Sequence, residues 1–174
     1  MRQFKVNDEL IDKIKRLITI SDKEKLEKNL NDLNYADLAE IFELLEVKEV
    51  IFLVKIFDKE RSADALAEID EDLREIILEN LSTKEIAEKI QELDTDDATD
   101  VISELSEDIQ ESVLSQIKDS ELTDDIKELL KYKEDTAGGL MAKELVKVSE
   151  KRSITKRLEE NRKQAKNVSR IKAI

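Results

Sequence analysis

The chain has 174 residues and a net charge of −13, with 42% charged residues against 40% hydrophobic ones. This excess of charge favours amphipathic helices, because a helix needs only one apolar stripe to pack. The chain has no Pro, two Gly and 3% aromatic residues, too few of each for a turn-rich β-sandwich or barrel. The absence of Cys and His excludes disulfides, zinc sites, thiol nucleophiles and Ser-His triads.

The first predicted helix falls within residues 1–20, where apolar residues follow a helical spacing. From residue 33 onward, apolar residues recur every twelve positions, at Leu33, Leu45, Phe57, Ile69, Leu81, Leu93, Leu105, Ile117 and Leu129. The next residue is often one whose side-chain oxygen accepts bonds from the first amides of a helix, namely Asn34, Asp58, Asp70, Ser82, Asp94 and Ser106. Each unit therefore predicts a helix of about ten residues followed by a very short connection.

These twelve-residue units predict an all-α, superhelical solenoid of short antiparallel helices, with a plain helical bundle as the alternative. Residues 57–81 and 93–117 also align without gaps. Helices this short are unstable alone and gain stability by stacking their apolar stripes on neighbours. We place this helical domain at residues 1–133.

The pattern changes after residue 133. The only two glycines, Gly138 and Gly139, indicate a positive φ or a close backbone approach. Residues 1–141 hold 19 basic and 39 acidic residues, a charge of −20, whereas residues 142–174 hold 11 basic and 4 acidic residues, a charge of +7. We predict a junction at 134–142, then an incomplete β-α-β fragment at 143–174 with strands at 145–148 and 168–174 around a helix at 154–164.

Three segments resemble one known family, the MgtE-type magnesium transporters. They are Asn34-Tyr-Ala-Asp-Leu-Ala-Glu40, Leu93-Asp-Thr-Asp-Asp-Ala-Thr-Asp100 and, as the most specific signal, Tyr132-Lys-Glu-Asp-Thr-Ala-Gly-Gly-Leu-Met141. In that family an acidic superhelical N-terminal domain precedes a CBS-domain pair and a membrane channel. The resemblance covers residues 5–174 and implies that residues 143–174 are the truncated start of the first CBS domain.

The resemblance implies a cytosolic magnesium sensor at the inner face of the cell membrane. In the family, Mg²⁺ ions between this domain and the CBS domains keep the assembly compact and the pore closed. The implied ligands are Asp64, Asp96 and Asp100, with the backbone carbonyl of Gly139. The family has Glu at the position of Asp64. The implied partners are the CBS and membrane domains of the same protein, with a homodimer when full length.

The residues agree with that expectation. Asp96 and Asp100 stand four positions apart on a predicted helix and so share a face, and Mg²⁺ binds through oxygen ligands while keeping several waters.

A region with a net charge of −20 repels nucleic acid, and no run of residues reaches the ~18–20 apolar positions of a membrane span. We therefore predict a soluble, cytoplasmic segment that contacts neither nucleic acid nor membrane.

Two other interpretations compete with the sensor. The acidic residues at 94–100 could simply favour the positive end of a helix dipole. The glycine pair could be an ordinary helix C-cap and turn. At the level of function, the alternative is a helical-repeat interaction scaffold related to flagellar motor switch proteins. An enzyme is not expected, since no His partner or pocket-forming aromatics accompany the carboxylates.

Overall fold

The computed structural model describes residues 6–133, 135–143 and 153–164, and within them all regular structure is helical. The helices are α1 (Asp8–Thr19), α2 (Lys23–Leu30), α3 (Tyr35–Glu43), α4 (Val47–Ile56), α5 (Lys59–Glu68), α6 (Glu71–Glu79), α7 (Thr83–Ile90), α8 (Thr95–Ser103), α9 (Glu107–Leu114), α10 (Ser120–Leu129) and α11 (Ile154–Gln164). The predicted helix at 154–164 is confirmed by α11. The two predicted strands, at 145–148 and 168–174, lie outside the described residues.

The twelve-residue spacing is confirmed by where the helices begin. From α3 to α9 the first residues are 35, 47, 59, 71, 83, 95 and 107. Eight of the nine periodic apolar residues are buried, and Leu105 is half-buried. Each of these residues lies in the short connection before a helix or near a helix end. The twelve-residue period is therefore the distance between successive buried connections.

Four of the six predicted helix caps are confirmed, one is wrong, and the cap at Asp94 stays a prediction. Side-chain oxygens of Asn34, Asp58, Asp70 and Ser82 accept backbone N–H groups of the first turn. At Ser106 the prediction of a side-chain cap was wrong, because α9 begins there without one. Two helix starts also carry a reciprocal capping box, one formed by Ser82 and Glu85 and the other by Glu46 and Glu49.

The chain divides into two compact units. The first, which we call the repeat body, comprises Met1–Leu93 and Val101–Lys118. Inside it several helices pack on the one two places along, as α3 does on α5, α5 on α7, α7 on α9 and α4 on α6, whereas α1 packs on α2 and α4. This stacking of equivalent helices is that of an α-solenoid, so the predicted all-α solenoid is confirmed, while the β-α-β fragment at 143–174 stays a prediction. The second, the junction unit, comprises Asp94–Asp100 and Asp119–Ile174.

Long basic side chains satisfy the carbonyl ends of helices in the repeat body. Arg61 donates to the carbonyl of Leu30, the last residue of α2, at 2.5 Å and to the carbonyl of Leu33, just beyond it, at 3.3 Å. Lys89 donates to the carbonyl of Val54 in α4 at 3.1 Å and to the hydroxyl of Ser62. Orphan carbonyls at helix ends need partners, and here side chains of other helices provide them.

A buried ion pair closes α5. The Arg74 guanidinium donates to the carbonyl of Ala67 at 2.6 Å, and its Nε donates to the Glu104 carboxylate at 2.8 Å. The side chains of Arg74 and Glu104 are only 11% and 10% exposed. Two acid–base partners from positions 30 residues apart are thereby fixed to a single helix end.

Candidate metal site

Helix α8 carries three acidic residues, Asp96 and Asp97 in its first turn and Asp100 one turn further along. Asp96 is half-buried and Asp100 is exposed, and their separation of four residues places them on one face of the helix. Other residues of the same turns face inward. Thr95 and Thr99 are buried, and the Thr99 hydroxyl donates to the carbonyl of Thr95 at 2.6 Å. The helix thus presents carboxylates outward while its threonines anchor it.

The junction segment, which we define as residues 135–143, begins with a hydrogen-bonded turn. The Thr136 N–H and hydroxyl both donate to the carbonyl of Lys133, at 3.0 and 2.7 Å. The Gly139 N–H donates in turn to the Thr136 hydroxyl at 3.2 Å, and the Leu140 N–H donates to the Thr136 carbonyl at 3.1 Å. The position of Gly139, whose carbonyl is a predicted ligand, is therefore held by its own turn.

Of the two explanations expected for the glycines, close approach holds for Gly138. None of the described glycines has a positive φ. A Cβ at Gly138 would lie 2.5 Å from Cδ1 and 2.6 Å from Cγ of Tyr132. Real Cβ atoms do not approach other atoms so closely, so a glycine is needed for the Tyr132 ring to rest on this backbone.

Lys143, which the sequence analysis did not single out, joins the junction segment to two helices. Its N–H donates to the Thr95 hydroxyl of α8 at 2.8 Å. Its ammonium contacts Asp125 at 3.0 Å and Glu128 at 2.5 Å, both on α10. The hydrogen bonds that the ammonium donates to Glu128 and to Asp125 raise the pKa of Lys143, and the Lys143 ammonium lowers the pKa of Glu128.

The predicted ligands are divided between the two units. Asp96, Asp100 and Gly139 belong to the junction unit, whereas Asp64 lies in the repeat body. Asp64 is half-buried and is the sixth residue of α5, as Asp100 is the sixth of α8, so the two occupy equivalent repeat positions. Within the described residues there is no group of three or more acidic side chains arranged to hold a metal.

Comparison with known proteins identifies the family. Residues 33–135, more than half of the chain, match the family model described as the MgtE intracellular N domain. The chain belongs to this family. The family belongs to a transporter and is not an enzyme family, which agrees with the sequence-based prediction.

Two solved structures share the fold. One is described as the soluble part of a magnesium transporter, with a TM-score of 0.82 and 22% identity, covering 94% of this chain and 64% of that one. The other is the cytosolic domain of the Mg²⁺ channel MgtE in complex with ATP, with a TM-score of 0.82 and 21% identity, covering 92% of this chain and 66% of that one. The chain thus spans slightly less than two thirds of either structure. A comparison with curated proteins finds no match.

In the part of the chain that the structure describes, no helix combines the length and the apolar character needed to cross a bilayer.

Proposed function

We propose that this chain is a cytosolic regulatory domain of a magnesium transporter that senses Mg²⁺ through α8 and the junction segment. The observation that carries the proposal is that Asp96, Asp100 and Gly139 belong to one compact unit in a chain of the MgtE N-domain family. The Lys143–Thr95 hydrogen bond also attaches the junction segment to the residue that precedes Asp96.

The chemistry of the donors fits a weak magnesium site. Mg²⁺ is a hard cation that takes oxygen ligands, keeps several of its waters and often binds one or two carboxylates. Asp96 and Asp100 supply two carboxylates on one helix face, and Gly139 supplies a carbonyl oxygen. Because no third acidic side chain completes a cluster in the described residues, the remaining ligands would come from water and from a second surface.

We assign that second surface to the CBS domains of the same protein. In the proposed mechanism, Asp96, Asp100 and the Gly139 carbonyl would hold Mg²⁺ together with carboxylates of the CBS domains, and the compact assembly would keep the pore of the membrane domain closed. When Mg²⁺ leaves, uncompensated carboxylates on a body at −20 repel one another and the surfaces separate. The full-length protein is proposed to act as a homodimer at the cytoplasmic face of the membrane.

The site assignment is tested by titrating the 174-residue chain with MgCl₂ while recording amide NMR spectra. We expect weak binding, with the largest shift changes in residues 95–100 and 135–143. Mutation of residues that merely support a metal ligand changes metal affinity by about 10- to 100-fold. Asp100→Asn, which removes a direct carboxylate, should therefore weaken the apparent Mg²⁺ affinity at these residues by at least about tenfold.

The matched control is Glu27→Gln, which removes the charge of an exposed acid on α2. It should leave the titration unchanged, and NaCl at equal ionic strength should not reproduce the Mg²⁺ shifts. Equal midpoints for the two variants would contradict the assignment, and the charge of the domain would then act only in bulk.

A further inference from the structure

The junction segment is held in place mainly by polar contacts. Its two large apolar side chains are exposed, with 76% of Leu140 and 39% of Met141 accessible to solvent. Apolar burial therefore contributes little to fixing the segment after its first turn. The interactions at its far end are those of Lys143, which reach α8 through the backbone and α10 through the ammonium.

The acids that receive this ammonium share one face of α10. Asp125 and Glu128 are three residues apart, so their like charges are neighbours on the helix surface. The Lys143 ammonium lies between them and relieves that repulsion. Its side chain is only 20% exposed, whereas those of Asp125 and Glu128 are 29% and 51% exposed. The cation is thus the most enclosed member of the group.

A backbone hydrogen bond attaches the same lysine to α8. The Thr95 hydroxyl that accepts the Lys143 N–H belongs to a buried threonine at the first position of α8. Lys143 is therefore bonded to the first residue of α8 and to the C-terminal half of α10. Together with the turn at Thr136, these contacts fix both ends of the segment that carries Gly139.

We propose that Lys143 is a positioning residue, whose ion pairs with Asp125 and Glu128 hold the junction segment against α8 and thereby arrange Gly139 beside the carboxylates of Asp96 and Asp100. The proposal rests on the proposed function for its consequence, which is a magnesium site arranged before the ion arrives. Preorganisation of this kind improves affinity because less ordering is left to be done on binding. The clasp itself, formed by Lys143, Thr95, Asp125 and Glu128, requires no metal.

The clasp is tested by amide hydrogen exchange of residue 143 in the full chain without Mg²⁺. Lys143→Gln removes the ammonium but keeps the N–H that donates to Thr95. We expect the protection factor of this amide to fall about three- to tenfold, as for two partly exposed ion pairs. In the wild type, raising NaCl from about 0.02 M to about 0.5 M should lower the protection, since salt screens such pairs. The variant should show little further change.

Two further variants control the experiment. Lys127→Gln removes an exposed lysine of α10 itself and should leave the protection of residue 143 as in the wild type. The double variant Asp125→Asn/Glu128→Gln should reproduce the loss seen for Lys143→Gln. Combining all three substitutions should add nothing, because they break the same interaction. Unchanged protection in Lys143→Gln, or full additivity, would overturn the clasp.

The consequence is tested by repeating the Mg²⁺ titration on Lys143→Gln, which retains Asp96, Asp100 and Gly139. We expect its apparent affinity to fall by about the same factor as the protection. If protection falls but the affinity is unchanged, the positioning role is wrong. If the wild type shows no localised Mg²⁺ binding, the proposed function fails, while the exchange experiment still decides whether the clasp exists.

Discussion

Two lysines, Lys89 in the repeat body and Lys143 in the junction segment, fasten their surroundings in different ways. Lys89 is partly buried and donates to neutral oxygens, the Val54 carbonyl and the Ser62 hydroxyl, and burial lowers its pKa despite nearby carboxylates. Lys143 donates to two carboxylates, and its pKa is raised. In the repeat body the environment opposes the charge, whereas in the junction segment the partners favour it.

The two kinds of contact differ in how strongly salt weakens them. A cation enclosed among helix carbonyls is poorly reached by salt, so such a contact persists over a wide range of conditions. A cation on partly exposed carboxylates is screened by salt and competes with any other cation that reaches them. The repeat body is thus built to keep its shape, and the junction segment is attached by interactions that respond to the ionic medium.

The largest expected effect is on the buried ion pair of the repeat body. Arg74→Ala leaves the Glu104 carboxylate enclosed without its partner and the end of α5 without its donor. Breaking a buried pair from one side costs about 3–5 kcal/mol, so we expect the free energy of unfolding in urea to fall by about 3 kcal/mol.

Two further variants serve as controls for the loss of unfolding free energy in Arg74→Ala. Arg16→Ala removes an exposed arginine of α1 and should change the unfolding free energy by no more than about 0.5 kcal/mol. Arg74→Met/Glu104→Leu removes both charges and should cost clearly less than Arg74→Ala. If Arg74→Ala costs no more than Arg16→Ala, the contrast between the repeat body and the junction segment is wrong.

The sequence predicts local features of this fold much better than distant ones. Helix starts are predictable because a buried apolar residue and a capping side chain lie next to each other in the chain. The capping box at Glu46 and Glu49 was missed because Glu is not a usual cap residue. Its three-residue spacing directly after Leu45 was the signal that could have revealed it.

The interactions that close helix ends left no such signal. Arg61 reaches Leu30 across 31 residues and Arg74 reaches Glu104 across 30, so nothing in the neighbouring sequence identifies either pair. Lys143 was missed for the same reason, since Thr95 is 48 positions away. For the candidate site, helical spacing alone places Asp96 and Asp100 on one face, but the roles of these acids and of Asp64 remain predictions.

A smaller effect is expected from an exposed ion pair of the repeat body. Glu85 accepts hydrogen bonds from the Ser82 backbone and hydroxyl and pairs with Lys55 at 3.1 Å, which together lower its pKa to about 2 from the usual 4.5. Because the folded-state pKa is depressed, this stabilisation is present above about pH 4.5 and is lost as the pH falls towards about 2. With its side chain 38% exposed, solvent screening reduces the contribution to about 1 kcal/mol.

Urea unfolding at about pH 6 and about pH 3 measures this contribution. Between these conditions the wild type should lose about 1 kcal/mol more than Glu85→Gln, whose amide keeps a hydrogen bond to the Ser82 N–H but carries no charge. Glu27→Gln should lose as much as the wild type. If wild type and Glu85→Gln lose the same unfolding free energy on acidification, the Glu85 carboxylate contributes no charge-dependent stability. Exposed ion pairs of the repeat body would then differ from those expected in the junction segment.

The smallest effect on overall stability is expected at the glycine pair. In Gly138→Ala the new Cβ would lie 2.5 Å from Cδ1 of Tyr132, so the ring has to move. Tyr132 is 48% exposed and can rotate into solvent, which makes the disturbance local. We expect the free energy of unfolding to change by no more than about 0.5 kcal/mol, while the amide signal of Gly139, bonded to Thr136, shifts clearly.

The double variant Tyr132→Ser/Gly138→Ala isolates the cause of that shift. Once the ring is absent, adding the Cβ at residue 138 should produce little further change in the Gly139 amide, because the two substitutions act through one contact. A loss of stability as large as that of Arg74→Ala would instead mean that the turn of the junction segment is as integral to folding as the buried ion pair. The distinction drawn between the two regions would then fail, since rigid packing, and not exposed charge, would determine where the chain leaves α10.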